Sequence, residues 1–316
     1  MGLATARALS RAGRSVVVYE QFEPGHVRGS SHGRSRIFRL AYAEPEWVRL
    51  AREALAGWRE LEGESGERLL EFNGLIEIVT EIGQSSAAAL EACGVAWERL
   101  ESDEVARRFP LRVPPGAFGV LQPEAGIVRA DRAPAAFARG IDVRYGVRVD
   151  SPGDLDADCV VVTAGAWIND LIEPALPVRI TRETVCYFRP ADARPIPAFV
   201  SFGPRAGGIC FYALADPLYG IKAAVHHGGS EVDPREAGSP DAALVRAITA
   251  WTAEHVLLAD PRPVETQTCL YTTTADESFI LERRGRIVVG SACSGHGFKF
   301  APAVGARLAA LAMESL

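Results

Sequence analysis

A chain of 316 residues is long enough to bury a large core and to hold two domains. Its 48% hydrophobic and 23% charged residues are ordinary globular composition, which excludes a disordered or membrane chain. A net charge of −6 with no local basic run argues against nucleic acid as a partner, and no apolar run approaches the roughly 18 residues of a membrane span.

Met1 to Val18 carries arginines and no acid, as an organellar transit peptide does, but it also reads as a helix followed by a buried strand. Leu3 to Ala12 is rich in Ala and Leu, and Gly13 stands where a helix C-cap would. Ser15 to Tyr19 is a short apolar run, the mark of a strand buried on both faces of a parallel sheet, and it ends in Glu20. Helix, turn, strand and terminal acid form the second half of a dinucleotide-binding βαβ unit. In that unit Gly2 is the last glycine of the phosphate turn, and the Glu20 carboxylate accepts hydrogen bonds from the ribose. The first strand and two earlier glycines are missing from this pattern. The expectation is a reading frame that begins upstream, the alternative being an impaired dinucleotide site.

Gly29 to Arg39 is a Gly/Ser loop carrying Ser31, His32, Arg34, Arg36 and Arg39. The spacing of three between Arg36 and Arg39 predicts one shared helical face, and a solvated basic loop is the plain alternative. Val48, Ala51, Leu55, Trp58 and Leu61 keep helical spacing and predict a packing helix. A strand at 74–79, short helices at 85–93 and 102–109 and a Pro-rich connector at 110–115 come next. Gly126 to Ala130 leads into a helix through Phe137, and a strand or hairpin is expected at 141–149. Asp158 to Trp167 reads as another buried strand, ending in Gly165. From Val178 to Ala224 the pattern alternates between Gly and Pro turns, as in an antiparallel sheet, and includes Tyr212 and Lys222; His226 follows closely. Asp241 to His255 is a predicted helix. Thr266 to Tyr271 returns towards the strand Arg286–Gly290, and then comes Ser291-Ala-Cys-Ser-Gly-His-Gly-Phe-Lys-Phe-Ala-Pro. Gly295 and Gly297 allow close approach of backbone to a ligand, His296 and Lys299 flank the turn, and Pro302 opens a helix. A strand, a Gly-rich basic turn and a helix N-terminus make an anion-stabilising site.

Of the chain's 34 basic residues only Lys222 and Lys299 are lysine. Where arginine is the default cation, these two positions call for a compact ammonium whose pKa can shift; chance leftovers on the surface are the alternative. Six scattered cysteines without CxxC pairs suggest neither a zinc site nor a disulfide framework, no metal is expected, and the chain reads as cytoplasmic with reduced thiols.

The stretches Gly2 to Glu20, Gly29 to Tyr42, Val160 to Trp167, Gly220 to His226 and Cys269 to Phe300, most specifically Gly33-Arg-Ser-Arg-Ile-Phe-Arg39 and Ser294-Gly-His-Gly-Phe-Lys-Phe300, resemble the monomeric sarcosine oxidase and N-methyl-L-tryptophan oxidase family of FAD-dependent amine oxidases. The resemblance implies an α/β fold with an α+β insertion. A Rossmann-like FAD-binding domain spans 1–72, 126–178 and 266–316, and a mostly antiparallel substrate domain spans 73–125 and 179–265. It implies FAD attached covalently through Cys269, where a buried structural thiol is the alternative. The pair Arg39 and Lys299 would hold the substrate carboxylate, and Arg36 and Lys222 would be cations beside the flavin. His226, Tyr212 and Tyr271 would surround the amine, and His32 and His296 would line the flavin, unless they are structural histidines. Gly2, Glu20, Ser31, Gly165, Gly295 and Gly297 complete the expected cofactor contacts. The implied activity is oxidation of a secondary amino acid, imine hydrolysis and reoxidation by O2 to H2O2, in a monomeric protein. A dehydrogenase using another electron acceptor and a truncated inactive fragment are the competing readings.

Overall fold

Helix Gly2–Arg11 ends at Ala12, and Gly13, at φ 75°, takes the left-handed turn that follows it. The computed structural model describes residues 1–201, 210–291 and 293–314. Strand Val17–Glu20 pairs in parallel with Asp142–Tyr145. The sequence predicts a strand buried on both faces; Val17 is instead 40% and Tyr19 36% exposed. The reason is topological. Among the described residues Asp142–Tyr145 is its one ladder partner, so an apolar run suited to a sheet interior lies at a sheet edge. A second parallel pair, Val160–Val162 with Ile287–Ser291, extends into antiparallel Ile280–Arg284.

Ser35–Phe38 is a strand, not the helix that its arginine spacing suggested. It lies antiparallel to Gly126–Arg129, which also pairs with Leu70–Phe72. Ile37 and Phe38 fit a pleated, half-buried surface, and the ladder they join overrides the three-residue spacing. Arg36 therefore sits within the strand and Arg39 just beyond it.

The alternating stretch becomes part of a nine-stranded sheet. Its order is Ser230–Glu231, Arg179–Phe188, Gly220–His226, Cys210–Asp216, Ala198–Ser201, Leu75–Val79, Phe118–Gln122 and Glu98–Leu100, with Glu265–Thr273 also pairing with Arg179–Phe188. All these pairs are antiparallel except Ala198–Ser201 with Leu75–Val79. Helix Ala242–His255 covers one face. It is capped by the Asp241 carboxylate, which accepts from the N–H groups of Ala243 and Leu244, and its Trp251 stacks on Phe199 and Phe211.

Helix Pro45–Ser65 buries Val48, Ala51, Leu55, Trp58 and Leu61, the stripe read from the sequence. Helix Ala301–Met313 opens on Pro302 and crosses Gly2–Arg11 at Gly305. A Cβ at Gly305 would stand 2.7 Å from the Ala4 backbone carbon and 2.9 Å from the Thr5 nitrogen, so glycine is what lets the two helices meet.

Candidate active site

The Gly-rich turn is pressed between three elements. Gly57 of helix Pro45–Ser65 meets Pro302 so closely that a Cβ there would lie 2.5 Å from the proline Cβ. The next residue, Trp58, donates its indole N–H to the Lys299 carbonyl at 2.7 Å. Gly295 adopts φ 70°, and a Cβ at that position would stand 2.4 Å from Tyr271 Cε2 and 2.5 Å from His226 Cε1. The turn can therefore lie against both rings only as glycine.

A cavity of about 2120 Å³ opens beside it. That exceeds the roughly 300–1,000 Å³ of a small-ligand site and gives room for an extended cofactor together with a substrate. All the residues singled out from the sequence line this cavity. Gly2, Glu20 and Gly165 come from the parallel strands and first helix, and Ser31, His32, Arg36 and Arg39 from the basic segment. Tyr212, Lys222, His226, Cys269 and Tyr271 come from the large sheet, and Gly295, His296, Gly297 and Lys299 from the turn. Tyr42 and Glu183, not singled out, also matter. The Arg39 guanidinium lies 4.6 Å from the Tyr42 ring centroid, with the Lys299 ammonium 5.7 Å from the same ring. Glu183 faces Cys269 across the strand pair, its carboxylate accepting from Thr181 Oγ1 and the Gly229 N–H. Neither has a motif of its own: tertiary packing, not spacing, brings them in.

Both lysines are buried, Lys222 to 5% and Lys299 to 6% exposure. Lys222 Nζ donates to the Ser35 carbonyl at 3.2 Å, and Lys299 Nζ to the His296 carbonyl at 2.9 Å. Arg36 is fixed by three backbone carbonyls, those of Ser35, Ser30 and His32, at 2.6–2.8 Å. Arg34 turns to Asp216 instead, at 3.1 Å. Burial, then the Arg36 charge, pulls Lys222 down to about 7, and burial together with Arg39 holds Lys299 well below its ordinary value. Burial likewise pushes His226 to about 3, His296 to about 3 and His32 to about 4, so all three imidazoles are neutral at physiological pH. The Cys269 thiol is raised by burial, with Arg36 and Lys222 pulling the other way. Tyr212 is pushed up to about 12 by burial, and its hydroxyl is hydrogen-bonded to Tyr271.

The lysine shift fixes the sign of a pH effect. The folded chain releases the Lys222 proton near pH 7, whereas the unfolded chain keeps it to about 10.5. The unfolded state thus binds more protons between those values, and stability rises with pH across the window. The cost of burying the ammonium is present in full below pH 7. The urea midpoint of the FAD-free protein should climb from pH 7 to about 8.5, below the range where the raised buried thiols oppose it, and Lys222→Met should flatten the climb, leaving the part due to Lys299. A wild-type midpoint that falls over this interval contradicts the buried-ammonium electrostatics.

Parallel strands, a first helix and a basic, glycine-lined cavity of this size define a dinucleotide-dependent enzyme. Residues 1–311 match the family model of FAD dependent oxidoreductases. Human peroxisomal sarcosine oxidase is 34% identical over 351 residues, an overlap that covers 99% of this chain and 90% of that protein. Monomeric sarcosine oxidase of Bacillus sp. is 29% identical, with 99% and 90% covered, and N-methyl-L-tryptophan oxidase of Yersinia pestis 28% identical, with 99% and 92% covered. The open form of NikD, an unusual amino acid oxidase essential for nikkomycin biosynthesis, superposes with a TM-score of 0.86 at 27% identity, covering 99% of this chain and 91% of that one. The chain belongs to the FAD dependent oxidoreductase family, in its sarcosine oxidase branch, and is an FAD-dependent enzyme.

The cavity wall fits FAD on its own chemistry. His32 Nε2, Ser35 Oγ and His296 Nδ1 are buried in it without a hydrogen-bond partner in the protein. Four basic side chains, Arg36, Arg39, Lys222 and Lys299, line the same space, and clustered positive groups of this kind suit an anionic ligand. Among the described residues no helix is long and apolar enough to cross a membrane.

Proposed function

We propose that the chain oxidises a secondary amino acid, N-methylated or cyclic, such as sarcosine. FAD, when bound, accepts hydride equivalents from the carbon beside the nitrogen and passes them to O2, giving H2O2. The observation that carries this reading is the burial, in one cavity, of the chain's two lysines beside Arg36 and Arg39. In this reading the Arg39 fork and the Lys299 ammonium grip the substrate carboxylate and so orient the amine. His226, Tyr212 and Tyr271 surround that amine. A neutral His226 adds no positive charge to a nitrogen that must itself be neutral to be oxidised. Arg36 and Lys222 supply the positive field that stabilises negative charge developing on the cofactor side. Gly2, Glu20, Ser31, His32, Gly165, Gly295, His296 and Gly297 form the cofactor wall, and Cys269 provides the covalent attachment. We assign 1–72, 126–178 and 266–316 to the FAD layer, and 73–125 and 179–265 to the substrate layer. Strand Glu265–Thr273, paired with Arg179–Phe188, ties the two together. A monomer in the cytoplasm completes the proposal, and six free cysteines support a reducing compartment.

The attachment is tested by precipitating the holoprotein with acid. Yellow colour should stay with the pellet in the wild type and wash into the supernatant in Cys269→Ser, which should still fold and bind FAD. Colour that washes off the wild type removes the covalent bond from the proposal.

A further inference from the structure

Beside the cavity, whose lining includes His226 and Glu277, three side chains from two segments meet. His226 ends strand Gly220–His226 and His227 follows it at φ 57°, while Glu277, at φ 60°, lies in the turn before strand Ile280–Arg284. Non-glycine residues adopt such angles seldom and at a cost, and here both turn their side chains towards one point. One imidazole nitrogen from each histidine and one Glu277 carboxylate oxygen all lie within 4.8 Å of one another. His227 Nε2 stands 3.3 Å from Glu277 Oε1, and His226 Nε2 stands 4.0 Å from Oε2.

A tetrahedral centre with bonds of about 2.0–2.2 Å separates its ligand atoms by roughly 3.3–3.6 Å. The His227–Glu277 edge already has that length, and small side-chain rotations close the others. His227 Nε2 is buried against the Glu277 carboxylate, which that contact holds below its ordinary pKa. Both imidazoles pack edge-on to Tyr271, with centroids 5.6 and 5.5 Å away, which limits their swing. Two imidazoles and one carboxylate are the donor set of an open zinc site, with a fourth position left for water, and they suit neither Mg2+ nor Ca2+, which take oxygen ligands. Glu277 is the cluster's single carboxylate, and the field of Arg39 reaches His226, so affinity is modest compared with a closed structural site.

We propose that His226, His227 and Glu277 bind one divalent transition-metal ion of the Zn2+ class beside the cavity, and that the bound ion inhibits the enzyme. Binding itself is independent of the amine-oxidase reading. Only the inhibition rests on it, because the ion engages the His226 imidazole and stands in the substrate's path.

The test uses holoprotein stripped with a chelator, desalted and titrated calorimetrically with Zn2+, with Co2+ as a visible-absorption probe of tetrahedral coordination. One equivalent should bind saturably below millimolar concentration. Glu277→Ala, at a side chain 51% exposed, and His227→Asn, a residue that tolerates positive φ, should each weaken uptake by at least roughly tenfold while retaining the FAD spectrum. Zn2+ inhibition of amine oxidation should fade in the same two variants. The proposal is overturned if wild type takes up no saturable equivalent below millimolar, or if neither variant binds more weakly. Should the protein show no amine oxidation at all, the calorimetric outcome still decides the metal site.

Discussion

Replacing Lys222 by methionine is expected to slow O2 consumption by about 10²–10³-fold, the usual cost of removing one preorganised electrostatic group, while substrate still bleaches the bound flavin anaerobically at close to the wild-type rate. Methionine fills the same volume in the large sheet, so the variant loses charge and not packing. The argument rests on where the ammonium sits: buried, bonded to the Ser35 carbonyl and beside Arg36, it is poised to hold its proton once an anion arrives. An oxygen electrode and an anaerobic stopped-flow trace separate the two half-reactions. Equal losses in both would assign Lys222 to the amine side or to folding. Unchanged O2 uptake would deny the residue any part in reoxidation. A wild type that bleaches readily yet barely consumes O2 would favour the dehydrogenase reading.

Arg39→Ala should lower kcat/KM for an amino acid by roughly 30- to 5,000-fold, the equivalent of about 2–5 kcal/mol for truncating one partner of a buried charge pair. Arg39 stacks on Tyr42 and shares that ring with Lys299, so the two cations present a fork and a point charge to one anion. The discriminating measurement compares an N-methyl amino acid with the corresponding amine lacking the carboxylate. Wild type should prefer the acid strongly, and the variant should lose that preference. An equal loss towards both substrates would show that Arg39 shapes the cavity without reading the carboxylate.

The dinucleotide half-unit was legible because helix, glycine and terminal acid follow one another locally, and Gly2–Arg11 with Val17–Glu20 form where that pattern predicts. The scarcity of lysine marked two positions that are both buried in the cavity wall. What spacing alone misjudged was set by partners distant in the chain. Arg36 and Arg39 read as helical until Gly126–Arg129 is known to lie alongside, and Val17 reads as buried until its neighbours are counted. Glu277 carries no signal in an acidic surface turn. Only the return of strand Glu265–Thr273 to the large sheet brings it to His226 and His227.

The crossing at Gly305 governs the order in which the molecule can be made. Helix Gly2–Arg11 is synthesised well before helix Ala301–Met313, whose surface buries its Ala4 and Thr5. At about 5–20 residues per second, roughly 15–60 s separate the two during translation. For that interval Ala4 and Thr5 lack the helix that covers them, so the face they share stays open until Ala301–Met313 has been made.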